Sequence, residues 1–359
     1  MQNINKLLRL QKLYIFFISL VLFIIIFSTT FLHAKTFKVS NIEISSPFEL
    51  NFDKNNVIDD GFNISFYNLI TMITTSGDRD KIKNIPLKEI KGMIDSFTIS
   101  DEKFINNDYF ANLETRFNKK KILSFLEKKN IFPSTLIKNN VLLIPVLVNP
   151  EQDKVYLFTN NIFYEEWNSN EENYHLLDYL LPSEDLEDLN SIQKLAGSIE
   201  TFDFGDLISK YDLKDYIISI IYLEKNDVNV LSKINLKDSL KIDNQRYENV
   251  DLDNKKDFKK ILKSLKNIYE NYWKKNNEIN TSIKLPITVL INSKEYEKIN
   301  NLEKMLEEME LVSNFFILNF DNQNTFYKIT YNGSPKTFIN DASKKNIDLV
   351  IENNVWFIK

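Results

Sequence analysis

A length of 359 residues suffices for two or three domains, and 43% hydrophobic with 13% aromatic residues excludes wholesale disorder. Fifty acidic against 45 basic side chains give a formal charge of −5, which argues against nucleic acid as the main ligand because phosphate neutralisation needs clustered cations. The absence of cysteine removes disulfides, thiolate metal sites, thiol nucleophiles and acyl-cysteine anchors together.

Lys6, Arg9 and Lys12 precede an apolar run over 13–27 that only Ser19 interrupts. A basic flank before such a run matches the start of a secretory signal, with cleavage after Ala34. That cut would leave Leu32 at the −3 position, which is bulky for a processing site. Extended to Leu32, the run reaches 20 mostly apolar residues, enough to cross a bilayer of about 30 Å as an uncleaved anchor. Residues 1–34 therefore read as a signal peptide or an N-terminal membrane anchor. Either way the remainder is exported, with a net charge near −8.

Residues 35–168 read as an α/β module in the order strand, helix, helix, strand, strand, helix, strand. Phe37, Val39, Ile42 and Ile44 open it as a strand. Phe62, Phe66, Leu69, Ile70 and Ile73 then fall on one helical face. Pro86 starts a short helix with Leu87, Ile90 and Ile94. Alternating segments over 97–105 and 109–117 flank Asn106-Asn107-Asp108 and predict a hairpin. Ile122, Phe125 and Leu126 line another helix. The run over 141–148 is wholly apolar, as in a strand covered on both faces, and Pro145 inside it predicts a bulge or a sheet edge.

Residues 169–283 read as an α+β middle module. A helix start is expected at Pro182-Ser183, with Glu184 and Asp185 in its first turn. A buried strand over 217–223 and two polar segments that read as a meander follow. Phe258, Ile261, Leu262, Leu265, Ile268, Tyr269 and Tyr272 then make one long apolar stripe, which predicts a core helix. Residues 284–359 parse as βαββαβ, the order of a ferredoxin-like module. The expected fold class is α+β, built from several small helix-on-sheet modules.

Motifs of reactive chemistry are scarce. The six glycines have neither dinucleotide-fold nor P-loop spacing, and no G-x-S-x-G occurs. His33 and His175 are the only histidines, which rules out a His-Glu-x-x-His zinc site. His175, near Glu165, Glu166, Glu171 and Glu172, reads as a surface residue of an acidic loop. Two S-x-x-K matches, Ser100 to Lys103 and Ser191 to Lys194, are no more than 41 lysines and the serines produce by chance. Acidic clusters at Asp59 and Asp60, at Glu184 to Asp188, and at Asp251 and Asp253 match a solvated surface, and the last lacks the glycine and glutamate of a calcium loop. With 46 asparagines beside those lysines, runs such as 274–277 also read as solvated. No catalytic, cofactor-binding or metal-binding residue is assigned.

The export segment, the strand over 109–117, the helix ending in Lys128-Lys129-Asn130-Ile131, the apolar strand over 141–148 and the segment Leu180-Leu181-Pro182-Ser183-Glu184-Asp185-Leu186 occur in that order. This order resembles a family of uncharacterised proteobacterial envelope proteins that share a domain of unknown function. The resemblance implies a Gram-negative envelope and supplies no catalytic residues. The function expected is a non-enzymatic interaction or assembly module facing the periplasm, with a protein partner in the envelope and membrane contact through residues 1–34 if they are uncleaved. The alternative is a carboxylate-based envelope hydrolase, which needs two carboxylates in one cleft. A secreted form is the third location this reading leaves open.

Overall fold

The computed structural model describes residues 35–169, 175–194, 196–352 and 355–358. The expected signal or anchor at residues 1–34 lies outside them. Among the described residues no helix is long and apolar enough to cross a membrane.

The first sheet opens on an alternating strand. β1 (Thr36–Pro47) buries Phe37, Val39, Ile42 and Ile44, with a register shift between Val39 and Ile42 as it pairs with β3 (Asp108–Asn118). β2 (Ile94–Ile105) pairs on the other side, giving the order β1-β3-β2. Asn106 and Asn107 both take left-handed backbone, φ 53° and 64°, as a two-residue hairpin turn requires. α1 (Lys54–Ile73) is capped by the Asp53 carboxylate, which accepts the Asn55 N–H, and it buries the expected Phe62, Phe66, Leu69, Ile70 and Ile73. Gly61 lets α1 approach this sheet, because a Cβ there would lie 2.7 Å from Leu113 Cδ2 and 2.9 Å from Ile44 Cγ2. α2 (Leu87–Met93) and α3 (Lys119–Lys128) flank the sheet sequence.

The second sheet is built on β4 (Asn139–Asn149), whose residues 141–148 are all buried. Its strands β5 (Lys154–Tyr156), β7 (Tyr216–Glu224), β8 (Asp227–Leu236) and β9 (Ser239–Tyr247) run in the order β5-β4-β7-β8-β9, with β6 (Leu177–Leu180) also beside β4. Leu142, Ile144 and Val146 face a core shared with Ile192 and Leu207. Those two come from α5 (Leu186–Gln193) and α6 (Gly205–Ser209), while the short α4 (Ile162–Glu166) follows β5. Val141, Leu143 and Leu147 face the core of α7 (Lys255–Asn276), which also holds the α1 face. Covering on both faces explains the unbroken apolar run.

Three sequence expectations are refined here. Pro145 makes no bulge, since β4 and β7 stay in register from Leu142 to Val148. It sits where β4's other flank is open, between the β6 pairs at 139–142 and the β5 pairs at 147–149, and Asn161 Nδ2 donates to its carbonyl at 2.8 Å. A missing N–H is harmless there. The helix expected from Pro182-Ser183 begins at Leu186, because the Asp185 carboxylate accepts the Glu187 N–H as the cap and leaves Glu187 and Asp188 in the first turn. Finally, β4 and β7 to β9 share one sheet, so a division at 168/169 runs through paired strands.

The C-terminal stretch has its own core, with Leu302, Met305 and Leu306 among its buried residues. It comprises β10 (Leu285–Asn292), α8 (Tyr296–Glu308), β11 (Val312–Phe320), β12 (Asn324–Tyr331), α9 (Pro335–Ser343), β13 (Leu349–Glu352) and β14 (Val355–Ile358). The sheet order is β11-β12-β10-β14-β13. The first five elements follow the split βαβ pattern, and the antiparallel pair β13 and β14 replaces the single closing strand. β14 consequently runs parallel to β10.

Replacing Gly61 with alanine places a methyl group against Leu113 and Ile44. Overpacking costs about 1–3 kcal/mol and helix propensity returns about 1, so Gly61→Ala is expected to lose about 1 kcal/mol in urea unfolding. A raised urea midpoint contradicts the close packing.

Candidate functional site

α1 and α7 present polar residues to each other at one end of their contact. On α7, Lys263, Asn267, Glu270 and Lys274 recur at helical spacing beside the apolar stripe. Tyr67, Asn68 and Thr71 face them from α1, and Arg79 and His175 complete the lining of a cavity of about 200 Å³.

Its floor is a buried ion pair. Glu270 and Lys274, one helical turn apart, have side chains only 1% and 2% exposed, with Lys274 Nζ 3.5 Å from Glu270 Oε2. Glu270 Oε1 accepts the N–H groups of Leu176 and Leu177 at 2.9 and 2.8 Å, and His175 Nδ1 lies 3.6 Å from it. Lys274 Nζ donates to the Thr71 carbonyl at 2.6 Å, one of the last carbonyls of α1. Asn271, next to Glu270, accepts the Ser76 N–H and donates to Ser76 Oγ, which holds the turn carrying Arg79. Burial by itself would push the Glu270 carboxyl up, yet His175, Lys274 and the Leu177 N–H hold it below the usual range. Burial pulls Lys274 down to about 8, with the nearby Arg79 adding to the fall and Glu270 opposing it.

Two sequence expectations change at this site. His175 is no loop-surface residue: its side chain is largely covered, and its carboxylate neighbour is Glu270. Glu165 instead accepts the Asn160 N–H, while Glu171 and Glu172 lie outside the described residues. In the run 274–277, Lys275 and Asn276 are exposed as expected, but Lys274 and Asn277 are buried. The available signal was a Glu-x-x-x-Lys pair on the margin of an apolar stripe. It is a weak one, since such pairs usually face water.

The other candidates stay apart. Both S-x-x-K pairs are on exposed surface. Asp59 pairs with Lys91, Asp185 and Asp188 share Lys210, and Asp251 accepts the Asp253 N–H within a turn. Two glutamates outside these clusters, Glu200 and Glu224, share an open cleft of about 500 Å³ over β7 to β9, where Tyr222 donates to Glu200 Oε1 at 3.0 Å. Among the described residues no group of three His, Asp or Glu could hold a metal ion.

A different kind of surface lies on the C-terminal sheet. β11 is an edge strand, and Phe316, Ile317, Leu318 and Phe320 on it are 40–74% exposed. Its nine residues, VSNFFILNF, contain no charge and no proline. The edge strands β2 and β9 also expose apolar side chains, but β2 carries Asp95, Asp101, Glu102 and Lys103, and β9 carries Lys241, Asp243 and Arg246. Charges of that kind guard an edge against pairing, and β11 has only two register shifts to do so.

No family model matches the chain, and no curated protein matches it.

Between pH 8 and 10.5 Lys274 is deprotonated in the folded chain and protonated in the unfolded one, so unfolding takes up a proton and rising pH stabilises the fold. The difference in urea stability between wild type and Lys274→Met is expected to shift in favour of wild type by on the order of 2–3 kcal/mol across that window. A flat difference would show that Lys274 titrates as an ordinary lysine.

Proposed function

We propose that the chain is an exported cell-envelope protein that acts as a non-enzymatic interaction module, and that a protein partner adds an extended segment to β11. The observation carrying this reading is an uncharged edge strand with four exposed apolar side chains. An added strand takes up the open main-chain donors and acceptors, and its side chains cover those of β11. Export rests on the apolar run in residues 13–27 and its basic flank. The envelope rests on the resemblance.

Magnitudes suggest a transient complex. Full burial of a Phe, Leu or Ile is worth about 1.5–3 kcal/mol, and these four are already partly covered, so they supply roughly 3–6 kcal/mol. Association costs about 4–15 kcal/mol, so main-chain hydrogen bonds and contacts beyond the strand must add to them.

A photo-crosslinking residue at Leu318, compared with one at Ile242 on β9, tests the proposal in intact cells. One dominant adduct is expected at 318 and none at 242, and Phe320→Lys, at the most exposed of the four positions, should abolish it while leaving stability within about 0.5 kcal/mol. Equal yields at both positions, or none at 318, would overturn the reading. An adduct of twice the chain's mass would make a second copy the occupant in place of a different protein.

The hydrolase alternative would act at the cleft of Glu200 and Glu224 or at the adjoining cleft lined by Glu151, Glu224 and Asp227, and Glu224 belongs to both. Under the interaction reading, the variant Glu200→Gln with Glu224→Gln keeps the full yield at 318. A glycan-releasing activity of wild type that this variant loses would favour the hydrolase instead.

A further inference from the structure

On one face of the second sheet, Ile144 and Val146 of β4 and Ile218 and Ile220 of β7 share a core with residues of α5 and α6. Tyr222 and Leu231 lie at the margin of that core, half-buried, and beyond them the same face turns polar. The register places the polar residues there. Tyr222 is opposite Asn229 and Asn229 is opposite Arg246, so the three form one row across β7, β8 and β9. Leu231 and Asn244 form the next row, two residues along β8.

Glu200, from the short helical turn Ala196–Thr201, closes the other side. Its neighbour Ile199 is buried in the same core. Tyr222 Oη donates to Glu200 Oε1 at 3.0 Å, and Lys233 Nζ donates to the Glu200 carbonyl at 2.6 Å. Turn and sheet together enclose the cleft of about 500 Å³, to which Glu224 also contributes.

The polar groups of this cleft are unequally engaged. Arg246 is taken by Asp227 Oδ2 at 2.7 Å and Glu248 Oε1 at 3.4 Å. The side chains of Glu224, Asn229 and Asn244 make no hydrogen bond or ion pair among the described residues, although the charge of Glu224 acts on Arg246. Two amides that both donate and accept therefore stand beside two carboxylates that only accept. Leu231 and the Tyr222 ring supply apolar area between them. With two carboxylates against one guanidinium that is already paired, the lining repels phosphates, sulfates and uronic acids.

We propose that this cleft binds a neutral saccharide. Each sugar hydroxyl both donates and accepts, so a run of hydroxyls matches amides and carboxylates set side by side. The C–H face of a sugar ring matches the apolar area of Leu231 and Tyr222. A volume of about 500 Å³ falls within the roughly 300–1,000 Å³ of small-ligand sites. The site is separate from β11 and does not depend on the edge-strand reading. Such binding requires no bond to be cut, so it stands apart from the hydrolase alternative as well.

The test applies the full chain, in a polyoxyethylene detergent that carries no sugar, to an array of immobilised neutral and acidic oligosaccharides. The glycan of strongest signal is then titrated in solution by calorimetry. Signal on neutral glycans is expected, with little on sialylated, sulfated or uronic acid ones. Asn244→Ala and Glu224→Ala, both at exposed positions, should keep the thermal midpoint within about 2 °C. They should weaken the affinity about fivefold and about tenfold respectively. An array without signal above blank spots overturns the proposal, as does a preference for acidic glycans. So does a neutral glycan whose affinity both variants leave unchanged.

Discussion

Residues 36–283 depend on α7 and on the buried pair Glu270 and Lys274 that it carries. The apolar stripe from Phe258 to Tyr269 packs on the second sheet, and the same core continues into the α1 face. A helix wedged between two layers must also answer the polar groups it covers. Glu270 takes the two N–H groups that lead into β6, and Lys274 takes a terminal carbonyl of α1. Trp273 Nε1 donates to the Ile137 carbonyl just before β4. Tyr269 Oη shares hydrogen bonds of 2.6 and 2.7 Å with Ser219 and Ser232 inside the second sheet. Burying two charges is expensive, and here the ions are offset by backbone groups that would otherwise have no partner.

The C-terminal sheet joins the rest by a similar device. Lys119, at the junction of β3 and α3, is 2% exposed and donates to both the backbone carbonyl and the carboxylate of Glu310. Burial lowers its pKa even with that carboxylate beside it. Lys284 and Glu127 add an exposed pair close by in sequence to the same junction. Glu310 lies two residues before β11, so the strand is held at its first end, where Val312 is fully buried. Its far end projects, and there the apolar side chains emerge. The edge is open because only β12 pairs with this strand.

Two surfaces of unlike chemistry result. One is an uncharged strand edge with exposed apolar side chains, and the other a polar cavity between helices over a buried ion pair. They arise from different parts of the chain, and neither uses a residue of the other. The scattered acidic clusters take part in neither, since most of these are spent on lysines or turns.

What the sequence by itself determined was local. Periodicity placed the α1 face, the α7 stripe and the alternating strands, because burial on one side imposes a spacing of 3.6 or 2 on whatever residues fold there. Asn106-Asn107 placed a turn because few residues accept left-handed backbone twice in succession. Only the tertiary structure decided that β4 pairs with β7 and completes a sheet spanning a polar stretch of chain, since strand pairing is a matter of register between distant segments. It alone moved Lys274 from an apparently solvated run into the core and set His175 beside Glu270. A charge on the margin of an apolar stripe can face water or a neighbour with the same sequence. The choice falls to the partner waiting across the gap: here a carbonyl of α1 and two N–H groups before β6, which no local pattern on α7 records.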